Sequence, residues 1–133
     1  MMIAPMQNDF QSGARQFVEG MFAPDADVES RDWIITDMSS APADVALSAM
    51  KELISASITG QAAELFDEIR IPVMTVNADL WPINHEAHRR HMVSFDAIVL
   101  KGADHFLMIN RSDEFNKALK QAIRTFENAG GKK

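Results

Sequence analysis

Two residues have the types and positions needed for acid–base chemistry: His105 in KGADHFLMIN and Asp79 in VNADLWP. A carboxylate that accepts the Nδ1–H of an imidazole fixes its tautomer and stabilises the imidazolium, leaving Nε2 free to act as a base. The two residues lie 26 positions apart (105 minus 79), each after a short apolar run with the composition of a strand. In open parallel sheets, sites form outside the carboxyl ends of the strands. If the two runs are neighbouring parallel strands, both loops meet on one edge. Taken singly, each residue has a plainer reading: an aspartate in a turn, and a histidine tucked beneath a loop. Together, at equivalent strand ends, they point to a catalytic pair.

Two aromatic residues belong to the same candidate site. Trp81 stands beside the acid and lines a substrate pocket or a partner surface, or else packs over the last helix; Phe106 begins the apolar run to Ile109 that would wall the histidine. A rival chemistry is suggested by HEAHRRH, residues 85–91. A helical zinc pair needs histidines at i and i+4. Here His85, His88 and His91 follow at i+3 steps, so His91 is displaced by about 120° around the helix from His85. Three imidazoles so placed do not converge, and the segment reads as a solvated helix with no metal site. The nine methionines are scattered and read as core filling.

The elements that must position these residues fall into two textures. Residues 10–68 read as helical. Phe10, Ala14, Phe17, Val18, Met21 and Phe22 recur at helical spacing until Ala23-Pro24-Asp25. A second helix is expected at about 31–38 with Trp33, Ile34 and Met38 on its apolar side. Ser39-Ser40-Ala41-Pro42 offers a cap and an early-turn proline for a third. In that third helix Val45, Ala49, Met50, Leu53 and Ile54 form the expected buried stripe, and Gly60 marks its end. Residues 61–67 add a helical turn.

From residue 69 the period changes. Residues 71–76 are nearly all apolar, the pattern of a strand buried on both faces. Helix is expected over 84–92, strand over 97–100, and helix over 112–127 with Ser112 as cap and Phe115, Leu119, Ala122, Ile123 and Phe126 as its stripe. Strand–helix–strand–helix order implies parallel pairing. Two strands of buried type do not make a stable sheet alone, and no further convincing strand is visible to flank them.

Composition narrows the function classes. The chain has 133 residues, room for one domain, and is 47% hydrophobic and 24% charged, as globular proteins are. With 13 basic against 19 acidic residues and a net charge of -6, it lacks the basic footprint that nucleic acid requires. Cysteine is absent, which excludes disulfides, thiolate metal sites and a cysteine nucleophile. The N-terminus has no basic, apolar leader pattern, and no run approaches the roughly 18 apolar residues of a membrane span. A cytoplasmic location is expected, with no cofactor.

IRIPVMTVNADLWPINHEAHRRHM followed by FDAIVLKGADHFLMINRSDEFNKALKQAI resembles the C-terminal part of an α/β-hydrolase, continuously over residues 69–127. The resemblance implies an α/β class and a partial α/β-hydrolase fold: a helical, cap-like segment at 1–68, a strand–helix–strand–helix unit with parallel strands at 69–128, and a flexible tail at 129–133. It maps Asp79 onto the acid and His105 onto the base, and it implies hydrolysis of an ester, lactone, amide or related bond in a small molecule. Two positions depart from the family pattern. Val76 stands where the acid turn commonly has glycine, and Asp104 stands where glycine usually precedes the histidine, placed to raise the pKa of His105 or to distort its loop. A larger departure is the nucleophile elbow, G-x-S-x-G between strand and helix. No such pentapeptide occurs; Ser39-Ser40 and Ser12 follow no strand.

Two functions are therefore expected in competition. One is a hydrolase-type chain carrying two triad members, inactive alone and completed by a nucleophile-bearing half. The other is a non-catalytic, oligomeric module that covers an exposed sheet edge with a second copy or a partner chain.

Overall fold

The computed structural model describes residues 3–130; the expected flexible end at residues 131–133 lies outside the described residues. The chain divides into two units, Met1–Ala62 and Ala63–Lys133.

The first unit is helical: α1 (Ala4–Asn8), α2 (Phe10–Glu19), α3 (Val28–Ser39) and α4 (Ala43–Thr59). Side-chain caps open two of them. Asp9 accepts the Ser12 N–H at 3.2 Å before α2, and Asp27 accepts the Ser30 N–H at 2.9 Å before α3. Gly13 makes the α1–α2 contact: a Cβ there would lie 2.5 Å from the Met6 backbone nitrogen. Ala14, Val18, Met21 and Phe22 are buried with Ile3, Met6, Ile34 and Ile35. Gly60, at φ +84°, ends α4 in the left-handed region.

Three helical expectations need correction. On α3 the buried residues are Ile34, Ile35 and Ser39, whereas Trp33 is 59% exposed and Met38 is also exposed. Ser39 and Ser40 close α3 instead of opening α4. Their hydroxyls donate back to the carbonyls of Thr36 (3.2 Å) and Asp37 (2.7 Å), while Pro42 takes the cap position of α4 without a side-chain bond. The stripe expected on α4 is not buried: Val45 is 62% and Leu53 70% exposed, and no residue of that helix is buried. Amphipathic spacing shows which face can be buried, but burial needs an element opposite it.

The second unit holds the rest of α5 (Gln61–Asp67), then β1 (Val73–Ala78), α6 (His85–His91), β2 (Phe95–Leu100), α7 (Leu107–Asn110) and α8 (Ser112–Gly130). It is thus mixed α/β, mostly helical, around a sheet of two strands. The strands pair in parallel, from Val73 opposite Phe95 to Ala78 opposite Leu100, and the Val73 N–H donates to the Ser94 carbonyl at 3.0 Å. The strand before Asp79 sits two residues later than the apolar run suggested, and Ile71 lies exposed outside the ladder. Burial on both faces is not found: β1 is half-buried at every position, as a two-stranded sheet requires.

Helix α8 packs on both strands and on α7. Of the expected stripe Ala122 is buried and Phe115 half-buried, whereas Leu119, Ile123 and Phe126 stay exposed; Ala118 is buried in addition. The helix runs to Gly130, so residues 129 and 130, expected in the tail, are helical. No helix among the described residues is long and apolar enough to cross a membrane.

Candidate functional site

Each strand is followed by one of the two residues that the spacing singled out. Asp79 follows β1 directly, and β2 leads into the loop 101–106 that carries His105. The Asp79 carboxylate reaches across: its Oδ1 accepts the Gly102 N–H at 2.8 Å. Gly102 has φ +68°, a conformation that turns the chain sharply after the strand and that side chains disfavour. The loop is held at two more points. Arg111 Nη1 donates to the Lys101 carbonyl at 3.0 Å, and Arg111 is itself engaged by Glu114 at 2.8 Å.

The third clamp is Asp104, only 3% exposed. Its Oδ1 accepts the Phe106 N–H and its Oδ2 accepts the Asn110 side-chain amide, both at 2.8 Å. This is the local aspartate-to-backbone bond that forms a tight turn, extended by a second donor. Asp104 therefore points into the unit and builds the turn. The expectation that it distorts the loop is corrected: glycine's freedom is replaced here by a carboxylate that satisfies two donors.

His105 itself is exposed. Its ring meets Trp81 edge-on at 5.8 Å between centroids and Phe106 at 5.2 Å. Among the described residues, no hydrogen bond joins the imidazole to Asp79; the carboxylate takes the Gly102 N–H instead. The tertiary structure thus brings the two loops together without joining the two side chains.

Beneath them opens a cavity of about 710 Å³, within the range of small-molecule sites. Trp81, His105, Leu107, Met108, Phe95 and Met92 line it, together with the β1 residues Thr75 and Asn77. Trp81 is thus at the cavity wall. Phe106 is buried beside the histidine and is not among the lining residues; Leu107 and Met108, the next two of its run, are. Thr75 Oγ1 and Asn77 Oδ1 are buried with no hydrogen-bond partner among the described residues. Sequence reading passed over both, because Thr75 sits within, and Asn77 directly after, a run that reads as apolar. Their i, i+2 spacing, which puts two polar groups on one face, was the available signal.

Two histidines of α6 share one aromatic neighbour and the third points elsewhere. His88 stacks on Phe95 with 4.5 Å between ring centroids, and His85 meets the same ring edge-on at 5.8 Å. His91 Nδ1 instead lies 2.9 Å from Asp67 Oδ1. Asn84 caps this helix through the Ala87 N–H at 2.9 Å. Among the described residues, no group of three potential ligands is arranged to hold a metal ion.

Comparison with known proteins finds no matching family model, no matching curated protein and no matching solved structure.

Proposed function

We propose that this chain is the acid- and histidine-bearing part of an α/β-hydrolase-type site, working in the cytoplasm on an ester, lactone, amide or related bond of a small molecule. His105 is the general base and Asp79 its orienting acid, with Trp81 against the substrate. The nucleophile, serine or aspartate, comes from another polypeptide segment. The observation that carries this reading is the Asp79–Gly102 bond, which ties together the two strand-end loops that carry Trp81 and His105, both of which line an apolar cavity. Without a nucleophile and an oxyanion hole most transition-state stabilisation is missing, so the chain alone is inactive.

The test is hydrolysis of p-nitrophenyl esters, first by the chain alone and then by the chain joined to whatever its gene encodes directly upstream. The chain alone should give no turnover above its His105→Ala variant. The joined protein should turn over, and His105→Ala should lower its rate by about a thousandfold or more. A joined protein that stays fully active as His105→Ala would sink the proposal.

A second reading is favoured by a separate observation. The outer edge of β1 has no partner among the described residues, and Asp79 bonds to backbone instead of to the histidine. On this reading the chain is a non-catalytic, oligomeric interaction module of hydrolase descent.

A further inference from the structure

The two edges of the sheet are treated differently. In the observed register the odd-numbered residues of β1 bond to β2, as Val73 does to Ser94. Met74, Val76 and Ala78 therefore turn their N–H and C=O groups to the outer edge of β1, while Phe95, Ala97 and Val99 do so on β2. The β2 edge is blocked by charge. Arg89 Nε donates to the Phe95 carbonyl at 3.2 Å, and the Ala97 N–H is taken at 2.8 Å by the carboxylate of Asp96. Arg89 and Asp96 also approach each other at 3.9 Å. These are the devices that keep an edge strand from pairing. The β1 edge has none: its sequence, VMTVNA, contains no charge and no proline.

Resting on the second reading above, we infer that β1 pairs with β1 of a second copy of this chain, antiparallel about a two-fold axis at Val76. This register matches the residues that face outward. Val76 meets its own mate, and Met74 meets Ala78 on both sides of the axis, large against small. It also sets Thr75 opposite Asn77 of the other copy, twice, at positions where directly opposed side chains come closest. The pairing thus accounts for the undefended edge. The product is a four-stranded sheet with the charged β2 edges outermost, a closed two-fold assembly.

The chain has no cysteine, so a single introduced thiol reports the axis directly. Opposed residues in a hydrogen-bonded pair have Cα atoms about 5.5 Å apart, within disulfide range. Val76→Cys should oxidise to a covalent dimer, and Val99→Cys, on the blocked β2 edge, should remain monomeric on a non-reducing gel. Light scattering of the unmodified chain at micromolar concentration should give twice 14.8 kDa. A dimer in which Val99→Cys links as well as Val76→Cys would overturn this register and leave the oligomeric reading standing. A monomer that neither associates nor cross-links would overturn both, and would leave the β1 edge to a strand of another polypeptide.

Discussion

His105 is held in place mainly by residues other than its expected partner. Asp104, Gly102 and Arg111 fix the loop, and Asp79 contributes through the Gly102 backbone. Asp104→Ala should strand the Phe106 N–H and the Asn110 amide; losing acceptors for two donors there should cost about 1–3 kcal/mol in urea unfolding. A variant of unchanged stability would show that the turn does not depend on this carboxylate. The positions of Asp79 and His105 were legible because a strand end is visible in sequence. The role of Asp104 was not, because it depends on where the 106 amide and the Asn110 side chain come to rest. Those positions follow from α7, a single turn of helix that apolar periodicity does not reveal.

The elements themselves follow from caps and close approaches that can be tested one at a time. Gly13→Ala would push a methyl into the backbone of Pro5 and Met6, so it should destabilise the first unit by about 1–3 kcal/mol, seen as a lower thermal midpoint. That a helical glycine normally gains stability on becoming alanine makes the direction of the change diagnostic. Asp27 offers a pH test. The Ser30 N–H bond at the start of α3 holds its carboxyl below the ordinary value of 3.8. A depressed folded value means that the stabilisation is present at neutral pH and is lost as pH falls through that lowered value. The gap in thermal midpoint between the native chain and Asp27→Ala should therefore be open at pH 6 and narrow as the pH is taken below 3.8. A gap that persists unchanged in acid would mean that the carboxylate charge is not what caps the helix. The helices were mostly placed by sequence, yet Trp33 on α3 and Leu53 on α4 show that a face cannot be assigned to the core without knowing what lies across from it.

On the scale of the molecule, the second unit has more apolar surface than it covers. Two parallel strands are half-buried, Leu119, Ile123 and Phe126 stand exposed along α8, and a cavity of about 710 Å³ lies open against the sheet. In the first unit α4 buries nothing. Surface of this kind is normally met by association or by further sheet. Pairing across Val76 would supply both for β1, and the size of the assembly in solution is the measurement that decides it.

Chain order, strand and helix periods and the placement of an aspartate and a histidine after successive strands were all determined by the sequence, because they depend on local pattern. The absence of a recognisable nucleophile elbow was equally plain from the residues alone. Only the tertiary structure decided that Asp79 bonds to Gly102 and not to the imidazole, that Asp104 is a buried clamp, and that β1 and β2 have unlike edges. The physical reason is the same in each case. Hydrogen bonds are shared out among groups far apart in the chain, and which acceptor takes which donor is settled by where the backbone brings them.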